Sequence, residues 1–566
     1  MKIIIGNSKI LVNYQNTDEF STNNIFDDIK NVRFEEKNGL LKVYHKKILK
    51  VVEKTEGSFI NNTEITTENF FEVMKVIIYN TDSGAIEQQP IANSVRIRYI
   101  MPAIKGLKEP VYKTEYYAKG ASVAAYPPLP EITDNRLEFD GYTHTLQELS
   151  DLQNDIDVGV LLKTVDGKTY ADFTLTPVTG LSPTIYFQIS GTATFRVNWG
   201  DGCTNDYYLT ETPTHTYPDY GDYSLSIERI SGNGTISLGG GTSLKQFFSG
   251  SVKCHQLTSF YAGSFTAINS YALHCSYHLS SVVIPRGVTS IGSYAFQQCN
   301  SLSSVVIPSV TSISDYMLAA CISLSSVVIS SGVTSIGDYA FQSCRHISSI
   351  VIPDGVTSIG AYAFQYCLSL TSFAIPNSVT SIGAYAFQYC VSLTSIVIPD
   401  GVTSIGAYAF RYCYNLSSVV IPGSLTSIGN YVFNLCYKLS SVVLSNGIKS
   451  IGNYMFSECY SLASIVIPNG VTSIGDKSFY NCMTLSSVII PDSVTSIGEN
   501  SFDLCPLVKS YEFLREIPPS IRQETFIYIS AMTKMYVPNA SVQAYKSATN
   551  WTAYTNHIYP LSQKPE

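Results

Sequence analysis

Residues 345–367 read "RHISSIVIPDGVTSIGAYAFQYC", and residues 368–390 repeat them as "LSLTSFAIPNSVTSIGAYAFQYC". A fixed period of 23 residues signals a stack of like units, to be read before any single element. In the first copy Ile347, Ile350, Ile352, Val356, Ile359, Phe364 and Cys367 form the inward set. Seven apolar residues cannot close a core alone, but identical neighbours stacked above and below extend them into a continuous one. Local chemistry fits one coil per unit. "SSIVI" is β-branched and reads as a short strand, which Pro353 ends because it has no N–H to donate. "DG" turns the chain, "VTSI" is a second extended piece, and Gly360 permits the next change of direction. "AYAFQYC", with Phe364 and Cys367 at i and i+3, suits a short helical turn.

Outward from these two copies, Cys275, Cys299, Cys321, Cys344, Cys367, Cys390, Cys413, Cys436, Cys459, Cys482 and Cys505 mark successive units. One cysteine per unit is a ladder position and not a set of disulfide pairs, so a small buried side chain is expected at each coil. At ~4.8 Å per stacked strand the array makes a rod or arc of roughly 50 Å.

Two further ladders lie on its surface. Tyr271, Tyr294, Tyr316, Tyr339, Tyr362, Tyr385, Tyr408, Tyr431 and Tyr454 hold one position, which then passes to Lys477 and Asn500. Extra rings sit at Tyr366, Tyr389 and Tyr412, and at Tyr414, Tyr437 and Tyr460. Such rings either stack on one another along the rod or offer faces to sugars and partner side chains. The second ladder is apolar. Alternation in "SSVVIP" sends Val282 and Ile284 inward and Val283 outward. The outward position stays apolar at Val306, Val328, Val351, Ala374, Val397, Val420, Val443, Val466 and Ile489. Either branched side chains are favoured there for packing across coils, or the face is covered by a partner subunit, another domain or a ligand.

The pattern "LxxVxIPxxVTSIGxYAFxxC" resembles the leucine-rich repeat of the Treponema/BspA type. The stretch "TKMYVPNASVQAYKSATNWTAYTNHI" at 533–558 is similar to the terminal segment of such arrays, where a strand and a helix around Tyr545 and Trp551 would cap the open core. The resemblance implies binding to host surfaces, matrix proteins or other cells, and implies no reaction.

In front of the array, "WGDG", "HTY" and "GDYSLSI" occur in order within residues 194–227 and resemble the polycystic-kidney-disease (PKD) β-sandwich module. Asp201 and Asp206 read there as turn carboxylates, too few oxygens for calcium. Residues 113–173 are similar to the Listeria–Bacteroides repeat, a small β-grasp-like spacer, although Tyr142 stands where that family usually has tryptophan. "KIIIGNSKILVN" near the start reads as a hairpin, and "LLKVYHKKILKVV" as a strand or a helix with basic positions. The expected order is therefore mainly β. An N-terminal β-rich module at 1–110 is followed by a spacer at 111–178 and a sandwich at 179–240. A solenoid at 241–516 and a cap at 517–566 complete it.

The formal net charge of −8 argues against a nucleic-acid or anionic-membrane binder. Of 36 Lys and Arg, 17 lie in the first 120 residues, which suits docking of the N-terminal module to an acidic assembly or an ordinary solvated surface. No stretch is long and apolar enough for a membrane span, and the first residues lack a signal-peptide core, so folding in the compartment of synthesis is expected. There is no GxSxG elbow, HExxH helix or GxxxxGK[ST] loop, and "SGNGTISLGGG" at 231–241 reads as a linker. Cys254, His255, His274, Cys275 and His278 crowd the first coils, but the ladder turns Cys275 inward and His274 outward, so no metal or other cofactor is expected.

The layout resembles adhesion proteins of bacteriophages that infect gut bacteria. On that resemblance the chain would be a non-enzymatic virion protein of a tail or head fibre, and a homo-oligomer. Its N-terminal module would dock to other virion proteins, and its solenoid would bind a host-surface protein or glycan. The alternative is a bacterial or protist cell-surface adhesin.

Overall fold

The computed structural model describes residues 95–104, 111–150, 155–175, 184–186, 193–208, 211–231, 257–263, 265–522 and 524–565, Gly159 excepted, and elsewhere the backbone of strands only. The chain is mainly β and divides into two compact units. One comprises 1–99, 112–129 and 144–158, the other 100–111, 130–143 and 159–566. In the first unit Lys2–Gly6 pairs antiparallel with Lys9–Asn13, with Gly6 opposite Lys9, as a hairpin requires. The stretch that reads as strand or helix forms two strands, Leu40–His45 and Ile48–Glu53, in a meander with Val32–Lys37. Arg98, buried in the same unit, donates from Nε and Nη2 to the Asp157 carboxylate at 2.7 and 2.5 Å.

The second unit opens on a six-stranded sheet in the order Thr204–Tyr208, Thr194–Asn198, Gly221–Ser231, Thr169–Leu175, His255–Tyr261 and Ser281–Val283. A smaller sheet joins Thr214–Thr216, Thr184–Phe187 and Phe248–Gly250. Phe173, Ile185, Phe195, Val197, Trp199, Tyr217 and Leu225 are buried in one hydrophobic core with them. Thr169–Leu175 falls in the segment read from sequence as spacer, yet it is a central strand here. His255–Tyr261 pairs antiparallel with it on one side and parallel with Ser281–Val283 on the other. The sheet therefore runs from the front strands into the first coils without a free edge between them.

From there the chain winds as a β-solenoid of about 13 turns. Most coils contribute a first strand, such as Ser395–Val397 (the coil at 345–367 does not, so its "SSIVI" is not a strand), and a two-residue second strand, such as Ser404–Ile405. Both pair in parallel, residue for equivalent residue, with the coils on either side. Inside, Phe341, Phe364, Phe387, Phe410, Phe433, Phe456, Phe479, Phe502 and Phe526 stack with centroids 5.1–5.9 Å apart.

Two local expectations need correcting. "AYAFQYC" is not helical. Tyr385, Phe387 and Tyr389 donate their N–H groups forward to Ala407, Ala409 and Arg411 of the next coil, at 2.8–3.0 Å. The intervening Gln388 and Cys390 close tight i→i−3 turns on Tyr385 and Phe387. Half of the backbone donors are thus spent between coils, which a helix would keep within itself. Gly360 is also required for a different reason. Its φ is not left-handed, but a Cβ there would stand 2.5 Å from the carbonyl carbon of Gly337, so it permits the close approach of two coils.

The cysteine ladder is inside. Cys299 to Cys505 are all buried and unpaired, and each Sγ donates to a carbonyl of the preceding coil at 3.1–3.3 Å, as Cys390 does to Phe364 O. The thiol supplies small volume together with a weak donor for that carbonyl. Burial pushes the thiols of Cys299 and of Cys344 to Cys505 up, Cys367 to about 12, so thiolate is scarce there at neutral pH. Of the twelve described cysteines only the exposed Cys203 and half-buried Cys275 should react with iodoacetamide in native protein at pH 8, as read by mass spectrometry. Modification of a ladder cysteine before unfolding would contradict the stack.

Candidate recognition surface

The apolar ladder divides into two parts. Val283, Val306 and Val328 are buried although they alternate outward. Ile100 and Leu161 pack on Val306 and Val328, with Val111 at the margin. The covering segment is held by backbone polar groups: Val282 N–H donates to Ala103 O at 2.9 Å, and Ser304 Oγ donates to Met101 O at 3.2 Å. Another part of the chain thus covers the first rungs. Sequence reasoning did not find the cover. Its only signal was "RYIMPAI", a largely apolar run interrupted by Pro102 alone and without the Gly, Ser or Asn of a flexible linker.

Beyond Val328 the cover ends. Val351 is half-buried and Ala374 exposed. Val397, Val420, Val443, Val466 and Ile489 then stand 70, 50, 51, 78 and 49% exposed on consecutive rungs. Ser395, Ser418, Ser441 and Ser487 form a parallel exposed column on the same strands, while Ile396, Val419, Val442 and Val488 fill the core behind. The stripe carries no charge along this length. Its next rung is Glu512, opposite Ile489, which is paired with Lys564. Its exposed area is on the order of 500 Å², comparable with the largest apolar patches of ordinary monomers.

The tyrosine ladder is a single stack. Tyr271 through Tyr454 meet their neighbours at 4.3–4.6 Å with ring planes within 5–12° of parallel. Every one is half-buried and has a left-handed backbone, φ between 56° and 63°. For a bulky residue that conformation is strained by roughly 1–2 kcal/mol. Ring stacking and the forward N–H bond hold it in place, and these needs explain a tyrosine there without any ligand.

The extra rings are stacked too. Tyr366, Tyr389 and Tyr412 lie 4.7 and 4.1 Å apart, with the Arg411 guanidinium 4.4 Å from the Tyr412 ring. Tyr414, Tyr437 and Tyr460 continue beside them at 4.8 and 4.7 Å. Beneath, Gln342, Gln365 and Gln388 pass amide hydrogen bonds from coil to coil.

In the first coils His274 and Cys275 do not diverge as the ladder predicts, because Cys275 is only half-buried. His274 Nε2 lies 3.4 Å from Cys275 Sγ, while His278 is exposed. Cys254 and the His255 side chain lie outside the described residues. The two carboxylates of the sandwich separate as well: Asp206 is engaged by Arg196 at 2.7 and 2.9 Å, whereas Asp201 meets His215 at 2.7 Å. Among the described residues no helix is long and apolar enough to cross a membrane.

Residues 266–394, 380–509 and 449–558 match the family described as BspA type leucine rich repeat region, which has 6 copies here. Among solved structures, a leucine-rich repeat protein from Bacteroides ovatus is 26% identical, over 46% of this chain and 81% of that one, with a TM-score of 0.37. A leucine rich cell surface protein from Faecalibacterium prausnitzii is 29% identical, over 47% and 91%, with a TM-score of 0.29. The leucine-rich repeat protein of T. pallidum is 31% identical, over 32% and 81%, with a TM-score of 0.26. No curated protein matches. The family matches run from residue 266 to 558, over half of the 566 residues, and take in the phenylalanine, cysteine and valine rungs alike. The chain belongs to the BspA-type leucine-rich repeat family.

Proposed function

We propose that this chain is a non-enzymatic adhesion protein whose solenoid docks a host-surface protein or glycan, with the stripe from Val397 to Ile489 as the main contact. Proteins of this family are typically surface adhesins, and the repeat is a recognition scaffold. The observation that carries the reading is the unequal treatment of one ladder. Where the chain can cover these valines it does so, with Ile100 and Leu161, and five successive rungs beyond are left bare. Burying such a stripe against a partner contributes about 25 cal/mol for each Å² removed from water, and several copies on one assembly multiply the effect by avidity.

A place on a bacteriophage particle, with residues 1–110 attached to other virion proteins, is the finer reading. The ten buried, unpaired cysteines support it, since they suit a chain that folds in a reducing compartment. A cell-surface adhesin is the competing placement, favoured by the family's usual location. Gold-labelled antibody against residues 1–110 should decorate particles on the first reading and intact cells on the second.

The contact itself is tested by Val397→Lys, Val420→Lys and Val466→Lys together. Their side chains point to solvent, so the fold should survive, read by circular dichroism. Binding to host cells or immobilised glycans, and any self-association seen by light scattering, should fall at least tenfold. Unchanged binding and unchanged mass would remove the stripe from the mechanism.

A further inference from the structure

Away from the solenoid, at the rim of the sandwich, three side chains of different ligand chemistry meet. One ligand atom from each of Asp201, Cys203 and His215 lies within 4.8 Å of the others. We propose that these three residues bind one borderline divalent cation, Zn²⁺ by best fit, with a coordination position open to solvent.

The local backbone builds the site. Gly200 and Gly202 adopt φ of +84° and +94°, which only glycine does readily, and Gly200 lies so close to Ser224 that a Cβ would be 2.4 Å from its carbonyl oxygen. This tight turn brings the Asp201 carboxylate and the Cys203 thiol together although they are two residues apart. Cys203 N–H donates to Asp201 Oδ1 at 3.0 Å, leaving Oδ2 to face His215 Nε2 at 2.7 Å. The imidazole is fixed from two sides. It stacks on Trp199 at 4.9 Å and 16°, and it meets Tyr217 nearly perpendicular at 4.6 Å. Tyr217 is itself anchored through its hydroxyl to Trp199 O at 2.8 Å.

The donor set selects the ion. One sulfur, one imidazole nitrogen and one carboxylate oxygen suit zinc, whereas calcium wants six or more oxygens. The nearby Asp206 cannot add oxygens without giving up its pair with Arg196. Around zinc, such donors stand about 3.5 Å apart, so small rotations of Asp201 and Cys203 suffice. Three protein ligands with the thiol exposed correspond to the open class of zinc site. An Asp–His hydrogen bond alone accounts for two of these residues. The exposed Cys203 thiol lies against the same carboxylate, so all three donors converge on one point. Bound metal would clip the 200–203 turn to Thr214–Thr216, tying an edge of the large sheet to an edge of the small one.

The test is Co²⁺ titration of the full chain after treatment with chelator, with Zn²⁺ as competitor. One equivalent should produce sulfur-to-cobalt charge transfer in the near ultraviolet and tetrahedral d–d bands, both bleached by Zn²⁺. Cys203→Ser, which alters an exposed atom only, should abolish the charge-transfer band, and Asp201→Asn should weaken affinity at least tenfold. Zn²⁺ should raise the melting temperature of the parent chain and not of Cys203→Ser. A parent chain without the charge-transfer band overturns the proposal. So does a band that persists in Cys203→Ser, because the thiolate would then be another, such as Cys275 beside His274.

Discussion

Phe387→Ala should remove about 3–5 kcal/mol from the middle of the solenoid, the range for a large aromatic side chain lost from a packed core. Phe387 is fully buried. Its ring stacks on Phe364 at 5.4 Å and Phe410 at 5.2 Å, and Phe373 meets it edge-on at 4.7 Å. No neighbour can collapse into the gap freely, because each ring above and below is pinned by its own forward N–H bond. A solenoid's stability is close to a sum over units and their interfaces, so the loss falls on two adjacent interfaces and leaves distant ones intact. Hydrogen exchange should therefore accelerate between about residues 364 and 410 while the terminal coils keep their protection, and the urea transition should broaden or split. A loss below about 1 kcal/mol, with exchange unchanged, would mean that the inner rungs repack across coils and that the phenylalanine ladder is not what holds them in register.

What could be read from residues alone follows from which constraints are periodic. The inward set, the cysteine rungs and the terminal cap repeat or end with the unit, and all appear where the 23-residue period puts them. The backbone of "AYAFQYC" did not, because Phe364 and Cys367 at i and i+3 satisfy a helical turn and a pair of tight turns equally well. The choice between the two was made by carbonyls of the next coil, an acceptor set invisible within one unit. The left-handed tyrosines follow from the same cause. Gly360 was read as a turn residue when the demand on it comes from Gly337, one coil away.

The valine ladder left two readings open. Its alternation was right, but Val306 and Val328 are buried by Ile100 and Leu161, residues over a hundred positions distant that carry no trace of the period. Thr169–Leu175 was likewise set apart from strands it pairs with because its partners, Gly221–Ser231 and His255–Tyr261, lie in other segments. The cluster of Asp201, Cys203 and His215 was half visible: "GDGC" and "HTY" flank the same loop. Only the stacking of His215 on Trp199 turns the imidazole toward the carboxylate, and sequence does not show it.

Trp551→Ala should be at least as costly as the central lesion but should fail in another way. Trp551 is fully buried at the end of the rod, where its indole N–H donates to Pro519 O at 2.9 Å. Its ring meets Tyr545 at 4.9 Å and Phe513 at 5.1 Å, both edge-on. Truncation opens a cavity worth about 3–5 kcal/mol and leaves a buried carbonyl without its donor, about 1–3 kcal/mol more. Both fall on the segment that closes the stack, the short helix Val542–Ser547 with the strand Ile558–Pro560. That strand lies at the edge of its sheet, beside Lys534–Val537. Once the cap loosens, these strands and then Ser510–Phe513 offer unpaired backbone groups to any other chain. The expected result is fast exchange confined to residues beyond about 505, protected coils elsewhere, and a rise in mass by light scattering with protein concentration. Because the chain has two tryptophans, fluorescence of the variant reports Trp199 alone, and it should stay native while the cap frays. A monodisperse variant with native exchange in its last coils would show that Tyr545, Phe526 and Tyr554 close the core without Trp551. In that case the aromatic cap is redundant, and end-protection rests on the strand pairing of Ile558–Pro560.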